Sequence, residues 1–481
     1  MKEKKEKKMT TFHYVVSLIV VAIFASGATV FIYELNDNKQ LAYETAGGKQ
    51  SDDDDLAYLY SLIETGYIED VDPQALHDGA MKGMVQAIDD PYSSYLTKSE
   101  AKEFDDDISG NFEGIGAVMT MTNDMPTVAE PPIKDSPAEK AKMQAGDIIL
   151  KVDGEETQGK TLNEIVKTVR GEKGTDVVLD IQRDTETFPV TITRDVIPVD
   201  SVKGNIDKND KDVGYIQISS FNTTTSKEFD EVVNQLRKDG AKSFVIDVRG
   251  NPGGVLTEVE KISSRFLEDG QPIVKFDSKL EGTEEHDASK QLDNGEKIKE
   301  PTVLLVDENS ASASEILAGA FIDSAGLDVV GESTFGKGTV QTVIPTGDGG
   351  ELKLTIKKWL TPDGTWIHEK GVKPTIEEKK PDYIQHKLID TKITYKLGST
   401  NENVKIINEY LNVLGYSVED DSDTYSTETQ SAIKAFQEKN DLKATGVADK
   451  DTIRLLERRI VEHWKDNDTQ YQKGIEVLNK K

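Results

Sequence analysis

Three serines alternate with alanine in SASASE, Ser310 to Glu315, and a lysine stands between two glycines in TFGKGTVQ further along the chain. A serine hydroxyl becomes a nucleophile only beside a base. The histidines His13, His77, His286, His368, His386 and His463 fall in the amino tail, in helical or acidic stretches, or near the carboxyl end. None is expected at a strand end of the α/β region. Lysine serves instead if its pKa falls from about 10.4 toward 7, which costs about 4 kcal/mol and demands burial away from carboxylates. Lys337 is suitably placed, because no acid occurs between Glu332 and Asp348. If GTVQTVI is a strand, period two sets Lys337, Thr339 and Gln341 on one face, where the Gln341 amide orients the amine. The glycine-rich DVRGNPGG, Asp247 to Gly254, follows a buried strand and offers N–H groups around Gly253. These would form half of an oxyanion hole, with the Ala313 amide as the other half.

Each residue also has an ordinary reading. Ser312-Ala-Ser-Glu315 matches the capping box S-x-x-E, in which the serine satisfies an orphan amide at a helix start. The two roles are compatible, since a helix N-terminus also favours developing negative charge. Ser310 and Ser314 compete with Ser312 for the role of nucleophile. Lys337 reads equally as a solvated lysine in a glycine turn, and glycine turns such as DVRGNPGG are common.

The elements that must position these residues follow from periodicity. From Gly214 the chain alternates GYIQISSF, SKEFDEVVNQLRKDG, SFVIDVRG, VLTEVEKISSRFL, PTVLLVDEN and ASEILAGAFIDSAG. Continuous apolar strands between amphipathic helices predict an α/β layer, with ligands beyond the carboxyl ends of the strands. VIDVRGNPGG and LLVDENSASAS lie at such ends. Upstream, GIGAVMTM, DIILKVDG, TDVVLDIQR and FPVTITRD predict short strands around a helix LNEIVKTVR, whose Leu162, Ile165, Val166 and Val169 share a face. Before them, LAYLYSLIETGYI and QALHDGAMKGMVQAID predict helices ended by a turn at Asp90 and Pro91. A last unit predicts three helices, from NVKIINEYLNVLGY to DKDTIRLLERRI.

At 481 residues the chain needs several domains. Its formal net charge of −30 repels phosphate backbones, so nucleic acid is not an expected partner. It has no cysteine, which excludes disulfides and thiolate chemistry. Tyr14 to Tyr33 runs without a charge after MKEKKEKK, about the length a bilayer requires. It predicts an uncleaved membrane anchor with the lysines inside and the bulk of the chain outside, in preference to a cleaved signal. The expected organisation is a basic tail over 1–13, an anchor over 14–34, an acidic linker over 35–55 and a helical region over 56–108. A β-rich domain over 109–196 and an α/β core over 197–385 follow, then a linker over 386–399, a three-helix unit over 400–462 and a tail over 463–481.

DVRGNPGG, SASASE and FGKGTVQ in this order, preceded by GIGA and by DDPYSSYL, resemble the carboxyl-terminal processing peptidases, serine peptidases with a Ser–Lys dyad. The resemblance covers roughly Leu56 to Pro381. It implies that Ser312 is the nucleophile, Lys337 the base and Gln341 its assistant, with no metal or other cofactor. It implies a PDZ domain for the β-rich module, whose amides at Ile115, Gly116 and Ala117 would hold the free carboxyl end of a protein substrate. Arg170 is then either a solvated helix-end charge or a contact to the catalytic domain. The final unit, in YLNVLGY, STETQSAIKAFQEKNDL and TGVADKDTI, resembles a three-helix peptidoglycan-binding domain. Its other reading is a helical bundle or the dimer contact of a homo-oligomer. Together these imply a membrane-anchored serine endopeptidase facing the cell wall. A binding scaffold with an inert α/β region is the alternative.

Overall fold

In a computed structural model, residues 52–122, 124–418 and 422–480 are described. The chain divides into two units at Thr97 and Lys98. The first holds the expected helices, Asp52–Gly66 and Pro73–Gln86, and the short strand Ser94–Leu96. The second of these helices starts where its sequence directs: Pro73 needs no amide partner, and the Asp72 carboxylate accepts from Gln74 N at 2.9 Å. Among the described residues no helix is long and apolar enough to cross a membrane. The expected anchor over 14–34 lies outside them.

In the second unit, the β-rich module is an antiparallel sheet in the order Met119–Thr122, Met125–Val128, Ile148–Val152, Asp176–Arg183 and Glu186–Thr193. Alternation decides its faces. Val177, Leu179 and Ile181 are fully buried, while their neighbours Asp176 and Val178 face outward. The helix Leu162–Val169 opens with a capping box between Thr161 and Glu164 and buries Ile165 and Val169 on this sheet. Asn111–Gly114 and Asp195–Pro198 pair antiparallel and draw together the ends of the module.

The α/β core is a six-stranded sheet in the order Val202–Ile206, Val213–Ile218, Ser243–Asp247, Thr302–Val306, Asp328–Gly331 and Ile376–Glu377. It is parallel after its first strand. Covered on both faces, its central strands are apolar throughout, as expected for parallel strands. Phe244, Ile246, Leu304, Val306 and Val329 meet one cluster, which includes residues of the helices Thr225–Lys238, Leu256–Ser264 and Ala313–Gly319. Val245, Val303, Leu305 and Val330 meet the helix Thr469–Leu478 through Val477 and Leu478. A second, antiparallel sheet includes Pro272–Ser278, Gly282–Asp287, Thr339–Pro345 and Glu351–Leu360.

Two expected boundaries differ from the fold. The stretch 463–481 is not a tail. Helix Lys450–Asp466 runs past 462, and Thr469–Leu478 packs on the central sheet so closely that a Cβ on Gly474 would lie 3.2 Å from Leu305 Cδ2. Nor is 386–399 only a linker. Ile389 and Tyr395 are buried with the helices Glu402–Val413, Thr427–Lys439 and Lys450–Asp466, and Tyr395 and Ala448 exchange backbone hydrogen bonds of 3.0 and 2.9 Å.

Candidate active site

Ser312 stands six residues beyond the end of the central strand Thr302–Val306 and just before the helix Ala313–Gly319. Its backbone has φ 54° and ψ −110°, a region that side-chain-bearing residues avoid because Cβ crowds the backbone. Such strain persists only where surroundings enforce it. Here Asn251 does so: its carbonyl accepts from Ala311 N and from Ser314 Oγ, both at 3.0 Å. Ser310 and Ser314 are completely buried, with their hydroxyls committed. Ser310 Oγ donates to Val248 O at 2.8 Å and accepts from Asp307 N at 2.9 Å. Ser312 is only half-buried, so of the three competing serines it alone is partly open to solvent.

Glu315 joins this turn to the lysine loop. Its Oε2 accepts from Ser312 N and from Lys337 N, each at 2.8 Å, which is the glutamate half of the expected capping box extended to a second loop. Its Oε1 accepts from Gly336 N at 2.7 Å and Thr334 Oγ1 at 2.6 Å. Burial pushes the Glu315 carboxyl above its ordinary range, against the four hydrogen bonds that favour the anion. The sequence shows the glutamate at capping-box spacing but gives no sign of its partners near Lys337.

The glycines beside Lys337 allow the close approach that their positions suggest. A Cβ on Gly336, at φ 93°, would lie 2.9 Å from the Gly371 and Lys370 nitrogens, and one on Gly338 would lie 2.8 Å from His368 N. Trp359 Nε1 donates to Lys337 O at 2.7 Å and Trp366 Nε1 to Gly338 O at 2.9 Å, which fixes the backbone that follows the lysine side chain. Gln341, in the strand Thr339–Pro345, donates through Nε2 to Thr339 Oγ1 and Thr355 Oγ1 at 3.1 Å each. The two side chains of Thr339 and Gln341 therefore meet, although the ladder slips between Val340 and Gln341. His368 is not at a strand end of the parallel sheet, yet it reaches the lysine loop. Its Nδ1 accepts from Gly338 N at 3.3 Å and its ring stacks on Trp366 at 5.2 Å.

On the other side of Ser312, the DVRGNPGG turn comes into contact. A Cβ on Gly253, at φ 103°, would lie 2.8 Å from Ser312 Cβ and 3.0 Å from Ala313 N. Ala313 opens its helix, so its N–H has no intrahelical acceptor. The Gly253 N–H instead donates to the buried Asn251 Oδ1 at 2.8 Å, and in this conformation it is already committed.

The residues expected to bind a peptide lie in the β-rich module. Ile115 is buried, and its carbonyl accepts from Ala138 N at 2.8 Å, while Gly116 O accepts from Ile133 N at 2.9 Å. Gly116 has φ 78°, and a Cβ there would lie 2.4 Å from Ser136 Cβ. Ala117 follows, half-buried, and leads to Met119–Thr122, which is the edge of its sheet. The facing helix leaves Leu162 and Val166 half-exposed. An edge strand beside a partly open apolar helix is the geometry of strand addition. Arg170 caps that helix, is exposed, and lies over the Phe112 ring at 4.6 Å. Among the described residues, no hydrogen bond or ion pair links residues 115–117 or Arg170 to the Ser312 turn.

A β-rich peptide-binding module in front of an α/β sheet, with a serine in a strained turn at a strand end, defines a PDZ-bearing peptidase class. Residues 212–378 match Peptidase family S41, residues 128–183 a PDZ domain, residues 400–456 a peptidoglycan-binding domain, and residues 23–100 the N-terminal domain of the activating protease CtpB. The carboxy-terminal processing protease CtpA of Bacillus subtilis is 41% identical over 96% of this chain and 97% of its own length. CtpB of the same organism is 40% identical over 88% of each chain. A probable CtpA-like serine protease of Staphylococcus aureus is 39% identical over 89% of this chain and 85% of its own. The chain belongs to peptidase family S41.

Proposed function

We propose that the protein is a membrane-anchored, outward-facing serine endopeptidase that cleaves proteins near their carboxyl ends through a Ser312–Lys337 dyad. One observation carries this reading: Glu315 Oε2 holds the backbones of Ser312 and Lys337 together, while the hydroxyls of Ser310 and Ser314 are buried and engaged. Lys337, as the neutral amine, takes the Ser312 proton as Oγ attacks the substrate carbonyl. The oxyanion develops beside the Ala313 N–H, and the Gly253 N–H joins it when released from Asn251. Lys337 then protonates the leaving nitrogen, and water repeats the cycle on the acyl-enzyme. Gln341 orients the amine. The PDZ module recruits the free carboxyl terminus through residues 115–117, and the segment 400–456 holds the enzyme at peptidoglycan, a reading supported by the match of residues 128–183 to a PDZ domain and of 400–456 to a peptidoglycan-binding domain.

The test uses the chain from residue 35 onward and an unfolded protein as substrate. The parent should degrade it, and folded Ser312→Ala and Lys337→Ala should each lose activity by about 10³-fold or more. Comparable cleavage by folded Ser312→Ala would sink the assignment.

A further inference from the structure

The two loops that bracket Ser312 are each gripped by chain lying on either side of the C-terminal module. Arg249 begins the turn that ends against Ser312, and its guanidinium is buried in a two-sided cage. It donates to Asp247 Oδ1 at 3.0 Å and Oδ2 at 2.7 Å, to Asp468 Oδ1 at 3.0 Å and Oδ2 at 2.7 Å, and to Gln470 Oε1 at 3.0 Å. Gln470 is fully buried and donates in turn to Glu378 O at 2.8 Å. Asp307 begins the other loop. Its carboxylate accepts from Gly250 N at 2.8 Å and Asn309 N at 3.1 Å, so it ties both loops together. Lys380 closes this cluster, donating to Asp307 Oδ2 at 2.7 Å with its side chain 9% exposed.

Lys380 lies just before the C-terminal module and Asp468 just after it, and both fall outside the stretches matched by the peptidase and peptidoglycan-binding families. A module that only tethered the enzyme would need one flexible attachment. This one returns to the core and buries the helix Thr469–Leu478 on the far face of the catalytic sheet.

We propose that Lys380 and the Asp468–Gln470 pair are positioning residues of the peptidase, forming a two-point clamp that sets the loops at Arg249–Gly254 and Asp307–Ala311 around Ser312. The inference rests on the peptidase reading above. Through it, displacement of the C-terminal module changes turnover without touching the substrate.

The experiment measures kcat and KM of the chain from residue 35 with Asp468→Asn, Gln470→Met, Lys380→Met and the double variant Asp468→Asn/Lys380→Met. Thermal melting confirms that each is folded at the assay temperature. Displacing a reacting group by a fraction of an ångström is costly, so each single variant should lose roughly tenfold in kcat and the double more, with KM within about twofold. The rate at which an active-site phosphonate labels Ser312 should fall in parallel, and Asp468→Glu and Lys380→Arg should recover most of it. Gln470→Met, which removes no charged side chain, keeps the test available should a charge variant fail to fold. Folded variants whose kcat stays within about twofold of the parent, while Ser312→Ala is inactive, overturn the clamp and leave the dyad standing. Activity persisting in Ser312→Ala overturns both.

Discussion

The backbone nitrogens of Ser312 and Lys337 donate to the same oxygen, Glu315 Oε2, each at 2.8 Å. Residues twenty-five positions apart are thus registered by one buried carboxylate. A carboxylate suits this task because both oxygens accept, so Oε1 can hold Gly336 and Thr334 at the same time.

Glu315→Gln should therefore separate geometry from bulk. The amide keeps the volume but has one accepting oxygen, so either the Ser312–Lys337 side or the Gly336–Thr334 side loses its acceptor. Activity should fall by about tenfold or more while the fold survives. Glu315→Ala leaves buried donors on both sides and should cost on the order of 3 kcal/mol in denaturant unfolding. A Glu315→Gln enzyme with parental kcat would show that the shared acceptor is not needed for alignment.

The three serines should divide activity from stability. Ser310→Ala strips Asp307 N and Val248 O of a buried partner and should destabilise by about 1–3 kcal/mol, and Ser314→Ala should weaken the tie to Asn251 O by about 1 kcal/mol. Ser312→Ala should change stability by less than about 2 kcal/mol and abolish turnover. Urea unfolding and a cleavage assay on the same three preparations decide the matter. A reversed pattern, with Ser312→Ala the least stable and still active, would return Ser312 to a purely structural role.

How much of this was legible in the sequence depends on how far apart the partners lie. The central strands were readable because burial on both faces makes them apolar without interruption, and the loops were readable because glycines and serines cluster at their carboxyl ends. Leu162–Val169 was readable from its apolar spacing. The wider bonding of Glu315 and the approach of His368 to Gly338 join segments remote in sequence, which local spacing does not encode. The helix Thr469–Leu478 was missed for another reason. Tyr471, Ile475 and Leu478 do stand at helical spacing, but the helix is a short window of ten residues, and the sheet it packs on lies remote in sequence.

Acid stability should report on Asp307. Burial raises its carboxyl pKa, but the hydrogen bonds from Lys380 and from the Gly250 amide prevail and hold it below the ordinary carboxylate value. A depressed folded pKa means that the unfolded chain binds the proton more readily. The stabilisation is therefore complete above the ordinary value of about 3.9 and is lost as pH falls through it toward the depressed one. The stability difference between the parent and Asp307→Asn should be constant near neutrality and shrink below about pH 4. A difference that stays flat to lower pH would show that the Lys380–Asp307 pair contributes no proton-linked stability.

Substrate capture should depend on a free carboxyl terminus and on two side chains of the PDZ helix. The edge strand Met119–Thr122 leaves one side unpaired, and Leu162 and Val166 stand half-exposed on the helix that faces it. A peptide added there would pair its backbone with the edge and cover these side chains, with its carboxylate at the Ile115–Ala117 amides. Amidating the terminus should raise KM with little change in kcat, since the interaction is remote from the reacting bond. Truncating either Leu162 or Val166 to alanine should cost about 1 kcal/mol of binding, or about fivefold in KM, on free-ended peptides and little on amidated ones. Gly116→Ala should do more, because its Cβ would sit 2.4 Å from Ser136 Cβ and displace the loop. Equal KM values for free and amidated peptides in the parent enzyme would remove the PDZ module from substrate recruitment.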